Sequence, residues 1–358
     1  MRARMSPLLE EVFDRLASMR DGKFDLGWMS ANPTGWGTHA QPSIGGLTLT
    51  DINVGLYGDI PEHGSAHGSM APRGAAVPPE TPSLGSYDVA DRALVWADNA
   101  AELYEEAVAR QWSSARDIPW EKLEPLPDDI ERAVCQLCTQ LSEVEFIAGD
   151  LPAKWLWRIN HDFHEVKLFL ASQIFDEARH MEVFRKRALA NGGGLMQASP
   201  GSERLLRTII EAPTYVVASA LMHVLAEGFV LTLFRHGEFL APTEVEKKIF
   251  RLCMQDEARH VGYGTLHLKH FLAAHPERVE EIHAILDAGE EAMFALGAEP
   301  QNIEPRLVLA GGGVERMQEG MLRTAFLHQK QVREYLHRLK VAGLERGDRC
   351  RIPLELPQ

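Results

Sequence analysis

The sequence predicts an all-α fold with an irregular N-terminal arm. Helical spacing of apolar residues dominates the chain after residue 88, and the predicted helices are long enough to form a bundle. From about residue 21 to 85 the sequence is instead rich in Gly, Pro, Ser and Asn. With 358 residues, 45% of them hydrophobic and 25% charged, the composition is that of a globular protein with a large core.

The N-terminal part divides into a short helix and a long arm. Residues 5–20 place five apolar side chains between Leu8 and Leu16 on one side of a helix. In the arm, residues 47–56 could form a short strand. An irregular stretch of this length is unusual in a compact domain, so we expect an arm that wraps or covers the body, or one that is partly disordered.

Start and stop signals divide the remaining sequence into helices. Pro213 is a favoured first-turn residue, Thr243 with Glu246 forms a potential capping box, and the glycines after Asn191 end a helix. The predicted helices span residues 88–112, 128–149, 152–190, 213–239, 243–273, 276–296 and 313–344. We therefore expect an N-terminal helix and arm over 1–87, a bundle over 88–273, and C-terminal helices over 274–358 that pack on the bundle.

Charge and composition exclude several classes of protein. The chain has 37 Lys and Arg against 51 Asp and Glu, a net charge of −14, which argues against a nucleic-acid partner. The apolar segment 215–234 is interrupted by His223, Glu227 and Gly228, so we expect a buried helix and no membrane span. The N-terminus lacks the apolar stretch of a signal peptide, and four cysteines do not form a disulfide framework. The cytoplasm is the expected compartment.

The pentapeptide Asp-Glu-Ala-Arg-His occurs twice, at 176–180 and at 256–260. Each copy contains Glu-x-x-His: Glu177 with His180, and Glu257 with His260. On a helix, residues three apart point to the same side, so each copy directs one carboxylate and one imidazole to a common point. One such motif is weak support for a metal site, whereas two copies in long amphipathic helices are strong support.

Two further carboxylates have the pattern of buried ligands. Glu227 lies in the middle of the apolar stripe of its helix, where an unpaired carboxylate is costly and a metal ion would resolve the cost. On the helix over 128–149, Glu145 lies at the edge of the buried face and Glu143 faces away, so Glu145 is the predicted ligand and Glu143 the alternative. Glu145 precedes Glu177 by 32 residues and Glu227 precedes Glu257 by 30, as in two copies of one helical hairpin.

This pattern resembles the ferritin-like di-iron carboxylate superfamily, whose four-helix bundles hold two metal ions and activate O2. The resemblance covers about residues 128–273, and the Asp-Glu-x-Arg-His form is similar to that of multicomponent monooxygenase hydroxylases and acyl-carrier-protein desaturases. It implies six metal ligands: Glu145, Glu177, His180, Glu227, Glu257 and His260. It also implies that Asp176 and Asp256 accept hydrogen bonds from the histidine rings, while Arg179 and Arg259 keep those aspartates ionised.

Other residues near these motifs have a less specific pattern. His223 lies one turn before Glu227 on the inner face, where it could bind or support a metal, although a hydrogen-bonded core histidine is more common. Apolar walls would keep a reactive centre from water. The candidates for such a pocket are Leu141, Leu170, Gln173, Phe184, Ala220 and Leu231.

Two positions depart from members of the superfamily. Ribonucleotide reductase radical subunits have a tyrosine seven residues after the first motif's glutamate, where this chain has Phe184, so a tyrosyl radical is not expected. The hydroxylases have a threonine four residues after the third-helix glutamate, where this chain has Leu231, followed by Thr232. A π-bulge could turn Thr232 inward, but the sequence does not show one. The multicomponent type of monooxygenase is therefore less well supported than di-iron O2 chemistry in general.

The leading hypothesis is a non-haem di-iron oxygenase that uses O2 to oxidise, and foremost to hydroxylate, a small organic substrate. The alternatives are an N-oxygenase or desaturase, an R2-like ligand-binding oxidase with a Mn/Fe centre, and a non-enzymatic iron-binding or storage protein, which the length of the chain disfavours. Two iron ions are the expected cofactor, with Mn/Fe as the other option. Because no flavin, nicotinamide or iron–sulfur motif is visible, we expect a separate electron-transfer partner; a homodimer is a further option.

Overall fold

The computed structural model describes residues 6–30 and 36–356, and these residues form helices joined by turns and irregular segments. No β-strand occurs in these two ranges beyond isolated bridges. A π-helical segment, Ala220–Ala226, joins two of the α-helices without a break. The α-helices are α1 (Pro7–Arg20), α2 (Leu49–Ile52), α3 (Ala100–Ala109), α4 (Asp128–Leu156), α5 (His164–Ala190), α6 (Pro200–Ile210), α7 (Tyr215–Ser219), α8 (Glu227–Leu240), α9 (Glu244–Ala274), α10 (Val279–Gly297), α11 (Pro300–Gly311) and α12 (Met317–Val341).

Four long helical stretches form the central bundle. Helix α4 packs against α5, and α8 packs against α9, so the chain makes two helical hairpins. Contacts between α5 and α9 join the two hairpins. The remaining helices surround this bundle: α11 packs on α4, α12 on α8, and α10 on α6 and the π segment. An all-α bundle with additional helices, as the sequence predicts, is confirmed.

Local sequence signals account for the helix ends. The hydroxyl of Thr243 caps α9, and the Glu246 side chain accepts from the backbone N–H of Thr243, so the predicted capping box is present. Helix α5 ends at Ala190, and Gly192 follows with a φ of +78°, a conformation that glycine adopts without strain. These signals fix the limits of the two helices that contain the repeated motif.

The stretch Tyr215–Leu240 is long and apolar enough to cross a membrane, but 89% of its most apolar 18-residue window is buried inside the protein. It comprises α7, the π segment and α8, which contact α9, α10 and α12. This stretch is therefore a core helix of the bundle, in agreement with the interruption of its apolar run by charged residues.

Several predicted helix limits are wrong. Helix α4 continues through Pro152 to Leu156, so the break between the first two bundle helices lies at 157–163. The buried side chains of Leu151 and Trp155 hold this last turn in the core despite the hydrogen bond that a proline removes. The helix predicted over 88–112 is reduced to α3, because Val89 instead exchanges backbone hydrogen bonds with Arg158 and Asn160.

Other elements were assigned wrongly or missed. The possible strand over 47–56 contains α2 instead, which Thr48 and Asp51 start with a capping box. Helices α6 and α11 are not among the predicted elements, although each begins with a first-turn proline, Pro200 and Pro300, that could have indicated it. The last predicted helix begins at Met317 rather than at 313.

The N-terminal arm combines an exposed helix with a segment anchored to the bundle. Helix α1 forms where predicted, but none of its residues is buried, and its apolar residues from Leu8 to Leu16 are 42–69% exposed. Further along, the Arg73 guanidinium forms a buried ion pair with Glu165, with 2.5 Å between Nη2 and Oε1. The arm thus covers the beginning of α5 at this point.

Candidate metal centre

Four helical stretches direct six buried side chains toward one point in the bundle. Glu145 comes from α4, Glu177 and His180 from α5, Glu227 from the start of α8, and Glu257 and His260 from α9. None of the six is more than 4% exposed. All six residues that the sequence assigned to a metal centre are therefore brought together in the core.

The six side chains form two overlapping groups of potential metal ligands. One group contains Glu145, Glu177, His180 and Glu257, and the other contains Glu177, Glu227, Glu257 and His260. Within each group, one atom from every residue lies within 4.8 Å of the others. Because Glu177 and Glu257 belong to both groups, the six side chains could hold two metal ions, and these two carboxylates could contribute to both sites.

Both histidine rings face the carboxylates with Nδ1. In one half of the centre, 3.0 Å separates Nδ1 of His180 from Oε2 of Glu177. In the other half, 2.9 Å separates Nδ1 of His260 from Oε1 of Glu177. The carboxylate of Glu257 lies slightly farther from both rings, at 3.4 Å from Nδ1 of His180 and 3.5 Å from Nδ1 of His260. Each ring thus faces the glutamates of both motifs.

The opposite ring nitrogens contact the aspartates in a crossed pattern. Nε2 of His180 lies 3.1 Å from Asp256, and Nε2 of His260 lies 3.3 Å from Asp176, so each ring contacts the aspartate of the other motif. An Nε2–H that donates to an aspartate leaves the Nδ1 lone pair free for a metal. The aspartates therefore fix the ring orientation that metal binding requires.

Two arginines join these aspartates into a buried network. Arg179 donates to Asp176 and Asp256 at 2.5 and 3.1 Å, and Arg259 donates to Asp176 and Asp256 at 2.8 and 2.5 Å. All four residues are at most 5% exposed. Two cations thus offset two anions in the core, and the shared pairs tie α5 to α9 beside the candidate ligands.

A tryptophan that the sequence analysis did not single out completes this network. The indole N–H of Trp112 donates to Oδ2 of Asp256 at 2.7 Å, and its ring stacks on His180 with 6.3 Å between the ring centres. Its neighbour Gln111 accepts a hydrogen bond from Arg179. Both residues follow α3 in an irregular segment, where no repeated motif indicated a link to the centre.

The choice between the two glutamates of α4 is decided by their burial. Glu145 is 3% exposed and belongs to the ligand group, whereas Glu143 is partly exposed and lies outside both groups. Partial burial and the nearby carboxylate of Glu203 raise the pKa of Glu143 to about 7. The structure thus places Glu145, and not Glu143, beside the other five candidate ligands.

The π segment positions Glu227 and its neighbours. It ends at Ala226, directly before Glu227, and π-helical turns of this kind often occur at functional sites. Oε1 of Glu227 accepts from the side-chain amide of Gln173 at 3.0 Å, and the amide oxygen of Gln173 lies 3.2 Å from Nε2 of His223. Burial and the charge of His260 lower the pKa of His223 to about 3, so His223 is a neutral core histidine that supports Gln173.

The electrostatics of the centre fit a bound cation. Burial and the charge of Glu177 raise the pKa of Glu145 well above its ordinary value, and burial and the charge of Glu257 do the same to the pKa of Glu227. Within the described residues, several buried atoms of the centre also have no hydrogen-bond partner: one oxygen each of Glu145, Glu177 and Glu227, both oxygens of Glu257, and Nδ1 of His260. Unpaired buried polar atoms are costly, and metal ions would coordinate them.

A large cavity adjoins the centre on one side. Its volume is about 520 Å³, and Glu145, Glu227 and Glu257 contribute to its wall. Most of the other lining side chains are apolar, among them Leu141, Leu205, Phe229 and Leu296. The carboxylates of the centre thus face a space large enough for an organic molecule.

Comparison with known proteins shows similarity at the level of structure. No protein-family model matches the chain, and no curated protein matches it. An R2-like ligand-binding oxidase with an aerobically reconstituted Mn/Fe cofactor superimposes with a TM-score of 0.54 and 18% identity, over 69% of this chain and 93% of its own. A mutant of such an oxidase with an aerobically reconstituted Fe/Fe cofactor gives a TM-score of 0.54 and 17% identity, over 67% and 92%. The protein has the ferritin-like fold.

Within this ferritin-like bundle, the predicted pocket residues lie in different places. Leu141 lines the cavity, whereas Leu170, Gln173, Phe184, Ala220 and Leu231 do not. Phe184 packs with Phe234 and Phe250 in a separate apolar cluster. The assignments placed residues on the inner faces of helices, but the cavity lies on one side of the bundle, lined by α4, α6, the π segment, α8, Glu257 of α9 and the C-terminal helices. Ala220 lies in the π segment, so the angle about the helix axis between Ala220 and Glu227 differs from that of a regular α-helix.

Thr232 of the ferritin-like bundle does not face the centre. Its hydroxyl donates to Oε2 of Glu334 on α12 at 2.5 Å. The π segment that could have turned it inward lies before Glu227, so it changes the direction of Glu227 relative to α7 and leaves Thr232 in an ordinary α-helical position. The hydroxyl position that the resemblance to hydroxylases implies is therefore absent from this side of the bundle.

The hydrogen bond from Trp112 to Asp256 is expected to stabilise the fold. Trp112→Phe should lower the free energy of unfolding by roughly 1.5–3 kcal/mol through the loss of a buried bond to a charged acceptor. Trp120→Phe is the matched control, because its indole N–H donates to the neutral backbone oxygen of Ser114 at 2.8 Å. We expect a smaller loss there, roughly 0.5–1.5 kcal/mol. Urea unfolding measures both, and equal losses would show that the charge of Asp256 adds nothing.

Proposed function

We propose that the protein is an O2-dependent oxidoreductase with a dinuclear iron centre, and that it oxidises a small organic substrate in the adjoining cavity. One observation supports this most directly: two overlapping carboxylate–histidine groups form part of the wall of a largely apolar cavity of about 520 Å³. The ligands would be Glu145, Glu177, His180, Glu227, Glu257 and His260. Hydroxylation is the leading reaction, with N-oxygenation and desaturation as the alternatives.

The donor atoms favour iron or manganese. Four carboxylates and two imidazoles provide oxygen and nitrogen donors without a thiolate, which suits these metals better than soft ones. Cys253 is buried near His180, but burial raises the pKa of its thiol to about 12, so it stays protonated. When bound, a dinuclear iron centre supplies the activation of O2.

The residues of the chain would control where this chemistry takes place. The crossed contacts of Asp176 and Asp256 hold both histidine rings with Nδ1 toward the centre. Gln173 holds one oxygen of Glu227 through its side-chain amide. The apolar cavity wall excludes water from the substrate side, which protects a reactive centre from side reactions.

The second candidate is a ligand-binding oxidase with a Mn/Fe centre. The solved structures with the same fold carry either Mn/Fe or Fe/Fe cofactors, so the fold accommodates both pairs in those proteins. Reconstitution with equal amounts of Mn(II) and Fe(II) tests this alternative. One manganese per chain, with full O2 reactivity only in the mixed form, would replace the di-iron proposal.

The proposed cellular setting follows from the same chemistry. The four cysteines are free thiols, as in a reducing compartment, which supports the cytoplasm as the location. Repeated turnover needs a supply of electrons, and a separate electron-transfer protein is the proposed source.

The proposed function is tested by the reaction of the iron-loaded protein with O2. After anaerobic loading, two Fe(II) per chain should be oxidised much faster than free Fe(II), with no further iron uptake. Glu143→Ala is the matched control and should behave as the wild type, because Glu143 lies outside both ligand groups. Oxidation at the rate of free Fe(II) would contradict the proposal, and continued uptake beyond two ions would favour iron storage.

A further inference from the structure

The cavity beside the candidate metal centre has one cationic side chain in its wall. Apart from the carboxylates of Glu145, Glu227 and Glu257, the only Asp, Glu, Lys or Arg residue among the described residues that line it is Arg306 of α11. A single positive charge in a mostly apolar wall, opposite a carboxylate centre, is an uncommon combination. Arg306 is half-buried, with a fully buried Nε, and an unpaired charge in such a place is unfavourable and needs a physical explanation.

Arg306 has no partner within the described parts of the chain. Its Nε is buried without a hydrogen-bond partner, and its guanidinium forms no ion pair there. Arg187 and Arg346, in contrast, pair with Glu131 and Glu290. Arg338 also has buried guanidinium atoms without a partner among the described residues, but it does not line this cavity. Burial lowers the pKa of Arg306 to about 10, so the side chain still carries its charge at neutral pH.

The neighbouring polar groups of the wall have partners, and they leave Arg306 free. Asn302 donates to Ser199 at 3.0 Å, and Gln331 donates to the backbone oxygen of Phe229 at 2.9 Å. His328 contacts the backbone oxygen of Pro353 at 2.6 Å. Apart from the carboxylates of the centre, the wall thus offers one unpaired cation, and its other polar side chains are neutral, among them Gln140, Ser202 and Thr324.

The position of Arg306 sets its distance from the metal centre. Arg306, Leu137 and Leu233 also line a second cavity of about 60 Å³, so they lie where the two cavities meet. Leu137 lies eight residues from Glu145 on α4, and Leu233 lies six residues from Glu227 on α8. At 1.5 Å per residue these offsets are about 12 and 9 Å along the helices. A molecule held by Arg306 would therefore place its far end, and not its head, at the centre.

We propose that Arg306 binds the carboxylate of the substrate, which extends its apolar body toward the metal centre. This inference rests on the proposed function and specifies the substrate class as monocarboxylic acids with an apolar body of medium length. Arg306 is then a positioning and specificity residue, since its guanidinium can hold a carboxylate with two parallel hydrogen bonds.

The charge balance of the cavity favours a monoanion. One carboxylate cancels the charge of Arg306, whereas the second charge of a phosphate ester would stay buried without a partner. A neutral molecule would leave the guanidinium unpaired. The apolar wall between Arg306 and the carboxylates of the centre suits a hydrocarbon body.

Binding of decanoate and decanol to the full chain tests the inference. Calorimetric titration is carried out anaerobically, with and without bound Fe(II), so that no turnover occurs. The wild type should bind decanoate at least tenfold more tightly than decanol in both states. Arg306→Gln should abolish this preference and keep the affinity for decanol within about twofold, while Arg306→Lys should retain part of it. Arg316→Gln is the control, because Arg316 is exposed and pairs with Glu319.

The possible outcomes separate this inference from the proposed function. Equal binding of decanoate and decanol by the wild type would overturn the inference without any variant. A preference for decanoate that persists in R306Q, or that needs bound Fe(II), would assign the carboxylate to the metal ions instead and also overturn it. A preference that depends on Arg306 supports the inference even if no metal binds, in which case the proposed function fails separately.

Discussion

Replacement of Glu257 by alanine is expected to remove both metal ions from the protein. Glu257 belongs to both ligand groups, so its loss takes one donor from each metal position. It also leaves the remaining carboxylates of the centre with fewer cations to offset their charges. We expect the affinity at each metal position to fall by roughly tenfold or more, so that about 0.2 metal ions per chain or fewer remain. Metal analysis after dialysis measures the result.

Variants of residues that belong to only one ligand group provide the comparison for Glu257→Ala. Glu145 belongs to one ligand group and Glu227 to the other, so Glu145→Ala and Glu227→Ala should each retain one metal ion. Glu143→Ala should retain two. Two ions in the Glu257→Ala protein would refute the shared-carboxylate arrangement, and normal binding by Glu145→Ala would remove Glu145 from the ligand set.

Metal binding is expected to stabilise the protein strongly. A ligand that binds only the folded state at a thousand times its Kd adds about 4 kcal/mol to the free energy of unfolding. For a chain of this size we expect the thermal midpoint to rise by roughly 5–10 °C. The physical source is the centre itself, where unpaired buried oxygens and like charges are unfavourable without cations. Calorimetric melting with and without Fe(II), under anaerobic conditions, measures the shift.

The variant Glu227→Gln separates this stabilisation from the stability of the fold. Its side chain has nearly the same shape, and its oxygen can still accept from Gln173. Without metal, this variant should be at least as stable as the wild type, because it removes a buried ionisable group from a repulsive cluster. With metal, its stabilisation should be much smaller. A full metal-induced rise in the variant would show that Glu227 does not bind metal.

Much of the candidate centre could be predicted because its information is local. The repeated pentapeptide places Glu177 beside His180 and Glu257 beside His260 through helix geometry alone. Glu227 and Glu145 could be found from the helical positions of apolar residues around them. The same local reasoning located the capping box at Thr243 and the helix end after Ala190.

The parts that were missed depend on contacts between distant segments. Trp112 reaches Asp256 across 144 residues, and no sequence pattern connects them. The reduction of the helix over 88–112 follows from backbone bonds between Val89 and residues after α4. The π segment before Glu227 widens a helix by one residue, which the regular spacing of apolar residues does not reveal.

The sequence by itself determined the all-α class and the pattern of carboxylates and histidines, because helix periodicity and capping act over a few residues. Only the tertiary structure decided that each histidine contacts the aspartate of the other motif and that the cavity lies on one side of the centre. It also decided that Arg306 lines this cavity without a partner among residues 6–30 and 36–356. These features arise where helices from separate hairpins meet, and the packing of whole helices sets which side chains share that space.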